Sequence, residues 1–417
     1  MKTKVKNLDY EKVLALKPEK LRKPVKPGLL WRWLMRVLGK GELAATNFKP
    51  HYIGMEKLGT HEPCLILMNH SCFTDLLIAQ TVFARRPMNI VCTSDGFVGK
   101  NWLMRHLGCI PTNKFVTDFI LVRNMKYALE KLHTSILMYP EASYSFDGTA
   151  TPLPATLGKC LKLLGVPVVI VRTYGAFARD PLYNNLQKRK VDISADIKYL
   201  LSPEDIRIKP VDELNEILKG EFTFDNWKWQ LDNNIKITEP FRADYLNRVL
   251  YKCRFCGCEG KMTGKGIMLT CSNCNSQWTL REDGQLEQNE TKQLSSVPDW
   301  FAWEREQVHS ELTAGTYHID TPVEIYMMVN TKAIYHVGQG NLTHNNNGFV
   351  LDGCDGKLHY EQGPHASYSL YSDYYWYEIG DMICIGDMKT LYYCFPKQSG
   401  DIVAKARIAT EELYRMK

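Results

Sequence analysis

From about residue 48 to residue 245, short apolar runs alternate with stretches of helical spacing. The run Cys64-Leu-Ile-Leu-Met68 is unbroken, which predicts a strand buried on both faces. Helical spacing over 76–85 follows, then a strand at 88–92 and helices at 102–107 and 126–132. A strand at 135–139, a helix at 156–164 and strands at 167–171 and 191–200 complete the series. This alternation predicts an α/β domain with a mostly parallel sheet flanked by helices. In such sheets ligands bind beyond the carboxyl ends of the strands.

The flanks read differently. Residues 1–28 are polar and rich in Lys and Pro, including Lys17, Lys20, Lys23 and Lys26, a composition that buries little surface. Residues 29–38 predict an amphipathic helix, with Arg32 and Arg36 on one face and Leu30, Trp33, Leu34 and Val37 on the other. Such a helix suits a lipid headgroup layer; packing on the next domain is the favoured reading, since an apolar face must be covered. Residues 300–417 carry short β-type runs separated by turn signals such as Asn-Asn-Asn-Gly, and a helix closes them over 401–417.

The chain has 417 residues, enough for two to three domains. Hydrophobic residues make up 45% and charged residues 24%, which excludes a disordered chain, and the net charge of +6 fits an anionic partner without requiring one. The 13 cysteines are mostly scattered, and the lysine-rich N-terminal stretch has no apolar core, so no secretory signal is read. The most apolar run, 163–171, is too short to span a bilayer. These features predict a cytoplasmic protein that touches the inner face of a membrane peripherally without crossing it.

The chemistry lies just after the first buried strand, in Asn69-His70-Ser71-Cys72-Phe73-Thr74-Asp75. A turn there can bring Asp75 back to the imidazole, fixing its tautomer and supporting the cation formed when the other nitrogen takes a proton. Cys72 and Ser71 read as packing residues rather than covalent nucleophiles.

The block Asn69-His70-x4-Asp75 resembles the first motif of the glycerolipid acyltransferases, especially the 1-acylglycerol-3-phosphate acyltransferases. Gly108-Cys-Ile-Pro-Thr-Asn-Lys114 resembles their second motif, with Lys114 where the family usually has arginine. Met138-Tyr-Pro-Glu-Ala-Ser-Tyr-Ser145 resembles the third, Phe-Pro-Glu-Gly-Thr-Arg-Ser, and 165–171 resembles the fourth. The resemblance covers about residues 45–245. It implies acyl transfer from a thioester of coenzyme A or acyl carrier protein to a lysolipid or similar acceptor. His70 would be the general base, Asp75 its partner, and Lys114, Glu141, Ser143 and Tyr144 the substrate-binding residues. Two departures stand out: Tyr144 replaces the arginine linked with phosphate, and Ala142 replaces glycine. A tyrosine offers one neutral donor instead of a bidentate cationic fork, which weakens a lysophosphatidate acceptor. Alanine turns less freely than glycine.

Cys253-x2-Cys256 and Cys271-x2-Cys274, fourteen residues apart, predict a closed four-cysteine zinc ribbon of structural role. Iron in a rubredoxin-like arrangement is the lesser alternative, and Cys258 adds a competing thiol. The modest basic content of the ribbon argues for docking rather than nucleic-acid binding. The order of the β runs and terminal helix resembles pleckstrin-homology-like domains, on fold pattern alone. The expected organisation is therefore a basic arm and amphipathic helix (1–45), an acyltransferase domain (46–248), a zinc ribbon (249–282), a linker (283–299) and a β-rich domain (300–417). The alternative function is a non-catalytic binding or regulatory protein on a degenerate acyltransferase scaffold.

Overall fold

The computed structural model describes residues 3–19, 22–116, 118–397 and 400–416. Lys20 of the basic arm and Lys417 of the terminal helix lie outside them. The chain forms two compact units, one of Lys20–Asp180 with Lys188–Asn226, the other of Met1–Glu19, Pro181–Gln187 and Trp227–Lys417. This division departs from the one expected around 46–248. Residues 181–187 join the second unit because Tyr183 Oη donates to the Arg242 carbonyl at 2.9 Å and Asn184 Nδ2 to the Phe241 carbonyl at 3.0 Å.

A short strand β1 (Val5–Asn7) belongs to the second unit. The first unit is built on β2 (Lys49–Ile53), β3 (Leu65–Met68), β4 (Met88–Thr93), β5 (Cys109–Thr112), β6 (Ser135–Met138), β7 (Val168–Tyr174) and β8 (Ser194–Leu201). Their order across the sheet is β2-β8-β7-β3-β6-β4-β5. Strands β3 to β7 are mutually parallel, while β8 runs antiparallel to β7 and carries β2 beside it. All four residues of β3 are buried. Ile66 and Met68 face one core with Ile78 and Phe83; Leu65 and Leu67 face the other with Met125 and Leu161. Two-sided burial is why this strand reads as an unbroken apolar run. Strand β2 is exposed along its length and carries no apolar run, so sequence pattern does not reveal it.

The helix Leu29–Ala45 packs its second half on the unit, with Gly39 and Leu43 buried. The expectation that its apolar face is covered fails for the first turns: Leu29, Leu30, Trp33 and Leu38 are exposed. It is the arginine side that turns inward, Arg32 Nη2 donating to the Ala84 carbonyl at 2.8 Å.

In the second unit, β9 (Met262–Lys265), β10 (Met268–Cys271), β11 (Gln277–Leu280), β12 (Leu286–Gln288) and β13 (Leu294–Ser295) form one antiparallel sheet. The stretch 283–299, expected to be a linker, thus extends the ribbon. Its polar residues pair by backbone, and Leu286 supplies a fully buried side chain. A helix absent from the sequence reading follows at Val297–Thr313 and seats Trp300 edge-on against Trp278, ring centroids 4.9 Å apart. Strands β14 (Ile319–Met328), β15 (Ile334–Asn345), β16 (Gly348–Gly353), β17 (Leu358–Gln362), β18 (Tyr371–Trp376), β19 (Gly380–Gly386) and β20 (Leu391–Pro396) follow in the order β17-β16-β15-β14-β20-β19-β18. The N-terminal arm is not loose, as its composition suggested. Backbone pairing holds it where apolar burial cannot: β1 adds in parallel to β15, and Val13 is the arm's buried anchor.

The helix Ile402–Arg415 ends the unit and is buried from Val403 to Leu413, charged residues included. Its Lys405 contacts Glu259 at 2.7 Å and Glu311 at 2.9 Å, and Lys252 contacts the same two carboxylates at 3.1 and 3.0 Å. Two cations and two anions alternate around a square, which satisfies charges that burial alone would penalise.

After β6 the first unit's chain turns through Ala142 at φ +57°. The turn is taken in full despite the lost glycine, at a cost for an L-residue of about 1–2 kcal/mol. Ala142→Gly is therefore expected to raise the unfolding free energy of this unit by about 0.5–1 kcal/mol, after allowing for the looser unfolded chain. Urea denaturation followed by circular dichroism checks it.

Candidate active site

Three of the resembling motifs end on the same edge of the sheet. His70 follows β3, Lys114 follows β5 and Glu141 follows β6, all at carboxyl ends. Asn69 extends β3 by side chain, its Oδ1 accepting from the Thr173 N–H at 2.8 Å. This bond ties the end of β3 to β7 and fixes where the next residue, His70, begins.

His70 Nδ1 lies 3.3 Å from Asp75 Oδ2. Asp75 sits in the first turn of the helix Thr74–Val82, where a negative charge is favoured, and is fully buried. The same Oδ2 accepts from the Ser71 N–H at 2.7 Å and the Cys72 N–H at 3.0 Å, and Oδ1 accepts from the Thr173 hydroxyl at 3.4 Å. Both oxygens of Asp75 are thus supplied with donors. With Nδ1–H given to Asp75, the lone pair of His70 lies on Nε2. Burial pulls the His70 pKa below its ordinary value, and Asp75 partly restores it. The imidazole is therefore neutral and basic near neutral pH.

The loop after β6 grips His70 by its backbone. The His70 N–H donates to Glu141 Oε2 at 2.9 Å, and the Ser145 N–H donates to the His70 carbonyl at 3.1 Å. Glu141 Oε1 accepts from the Thr151 N–H and hydroxyl, both at 3.0 Å. Both oxygens of Glu141 are therefore engaged inside the protein, which departs from the expectation that it holds the acceptor. Burial raises its pKa to about 7, against the pull of the Thr151 and His70 donors. Thr151 and Thr173 are not visible as site residues in the sequence, since neither lies in a motif. Only the sheet order brings Thr173 to the end of β3.

Two tyrosine rings pack against His70. The ring of Tyr139 stacks on His70 at 3.9 Å and 23°, and that of Tyr144 lies tilted at 4.3 Å and 43°. Lys114 is near enough to act on His70 as a like charge. Ser143 is buried. Cys72 is fully buried, and burial, then Asp75 and Asp180, push its thiol well above the usual range. That disfavours the thiolate a nucleophile requires.

A second cluster lies in the other unit. The Sγ atoms of Cys253, Cys256, Cys271 and Cys274 all lie within 4.8 Å of one another, with Cys253–Cys274 and Cys256–Cys271 both at 3.7 Å. A tetrahedron with metal–sulfur bonds of about 2.3 Å has edges of about 3.8 Å, so the donor set fits zinc. The two knuckles match in backbone. The Gly257 N–H bonds the Cys253 carbonyl and the Asn275 N–H the Cys271 carbonyl, each at 2.9 Å, with φ of +72° and +60°. Cys258, expected as a competitor, stands outside the cluster.

Residues 49–173 match the family model described as Acyltransferase. Among solved structures, the chain is similar to the crystal structure of the 1-acyl-sn-glycerophosphate (LPA) acyltransferase, PlsC, from Thermotoga maritima. That likeness has 17% identity and a TM-score of 0.36, covering 46% of this chain and 76% of that one. No curated protein matches. The stretch that matches spans β2 through most of β7 and contains His70, Asp75, Lys114 and Glu141, so the chain carries an Acyltransferase-family domain over residues 49–173.

Proposed function

We propose that the chain is an O-acyltransferase that moves an acyl group from a thioester of coenzyme A or acyl carrier protein to a hydroxyl of a glycerol-type lysolipid. The observation that carries this reading is the His70–Asp75 contact at the end of β3, inside the matched domain. Nε2 of His70 takes the hydroxyl proton as the oxygen attacks the thioester carbonyl carbon. The carbon–sulfur bond then breaks, and the leaving thiolate recovers the proton from His70. Asp75 orients the ring and balances its transient charge. Glu141 holds the His70 backbone in register. Lys114 is the cation offered to an anionic acceptor or donor, with Ser143 and Tyr144 lining the site. The degenerate-scaffold alternative is not favoured, because base and partner stand within reach of each other.

The exposed Leu29, Leu30, Trp33 and Leu38 support peripheral contact with a lipid surface. No helix among the described residues is long and apolar enough to cross a membrane. We assign the four-cysteine cluster to a structural zinc ion, since four thiolates leave no position for substrate.

A panel of lysolipid and other hydroxyl acceptors, offered with acyl-CoA and acyl carrier protein donors, tests the reaction. His70→Ala is expected to lower kcat/KM by about 10²- to 10⁴-fold; equal turnover by wild type and variant, or none by either, ends the proposal. Because the base must be neutral and burial holds its pKa low, the rate is expected to fall only as pH drops below the range of an ordinary histidine, ~6.5. A limb at or above that range would contradict it. For the second unit, metal analysis is expected to give about one zinc per chain, lost in Cys271→Ser together with folding of the ribbon. A folded, metal-free protein would overturn the assignment.

A further inference from the structure

We propose that Tyr139 and Tyr144 are positioning residues whose rings pack against the His70 imidazole, restrain it and favour its protonated form. The inference rests on the acyl-transfer reading for its role in turnover, but its physical content concerns His70 alone.

Three restraints act on this imidazole. The Tyr139 ring stacks on it at 3.9 Å, the Tyr144 ring packs against it, tilted, at 4.3 Å, and Nδ1 is tied to Asp75. The side chain is 20% exposed. This bracket of two rings and a carboxylate opposes rotation about the side-chain bonds, as proximity in catalysis requires.

The rings also bear on charge. A cation over an aromatic face is attracted by the ring's negative quadrupole, more strongly once water is excluded. The groups that face His70 divide cleanly. Asp75 on its helix and the two tyrosines favour the imidazolium. Lys114, from the segment after β5, and burial itself oppose it. Glu141 reaches only the backbone N–H, and the Cys72 thiol stays protonated. The arginine that the resemblance expects at 144 would set a second cation against the imidazolium. Tyrosine there gives an attractive face instead, so this chain replaces a substrate-binding group by one that serves the base.

The test reads His70 directly. Its titration is followed by NMR of the ¹⁵N-labelled imidazole in wild type and in Tyr144→Phe, Tyr144→Leu, Tyr139→Phe and Tyr139→Leu, alongside pH profiles of kcat/KM. The phenylalanine variants keep a ring and are expected to titrate as wild type. The leucine variants keep apolar burial without a quadrupole, and His70 is expected to titrate lower by about half a unit to one unit. Where turnover is present, kcat of Tyr139→Leu is expected to fall about tenfold with KM little changed. A leucine variant on each face keeps the test intact if one of them does not fold. Unchanged or raised titration in a folded leucine variant overturns the bracket while leaving acyl transfer standing. A lowered titration in a protein that transfers no acyl group upholds the bracket and removes the acyl-transfer reading.

Discussion

A buried carboxylate is tolerable only if its lone pairs are met, and Asp75 meets them with two backbone N–H groups, a threonine hydroxyl and an imidazole. Almost everything about the site follows from that requirement. The N–H donors belong to Ser71 and Cys72, so the loop after β3 must curl around the carboxylate. The hydroxyl belongs to Thr173, so β7 must lie beside β3. The last donor is His70, whose other nitrogen is thereby set up to accept. Take away the burial and Asp75 would be solvated and mobile; take away the donors and its oxygens would be buried without partners.

The same loop is fixed from its other side by Glu141. Its carboxyl group bridges the His70 N–H and Thr151, joining the ends of β3 and β6. The chain thus uses two acids near one imidazole in opposite senses. One is paired with the ring. The other is tied to the backbone, with its pKa lifted by burial. Electrostatics at the base and geometry of the loop are handled by separate residues.

Sequence made the His70–Asp75 pair legible because five residues across one turn is a local relation, and β3 announced itself by an unbroken apolar run. The four-cysteine cluster was legible for the same reason: each knuckle is local, and a hairpin links them. What stayed hidden was non-local. Thr173 stands 98 residues from Asp75, and the pairing of β3 with both β6 and β7 brings the two together. The packing of Tyr139 and Tyr144 against His70 depends on the same arrangement, so the departure at 144 looked like a loss of phosphate affinity rather than a contact with the imidazole. Residues 283–299 seemed a linker because strands that pair by backbone need few apolar residues, and the N-terminal arm misled in the same way.

The alternating square of Lys252, Glu259, Glu311 and Lys405 governs the order in which the second unit can mature. The ribbon's cysteines and both carboxylates leave the ribosome well before residue 405. Until that lysine arrives, Glu259 and Glu311 share a single counter-ion and repel one another, and the groove the terminal helix fills lies open. Since domains fold as units during synthesis, closure of this unit waits for its last helix. The late segment acts as a keystone, and a ribosome pausing before it would expose a half-neutralised, apolar seam to the surrounding cell.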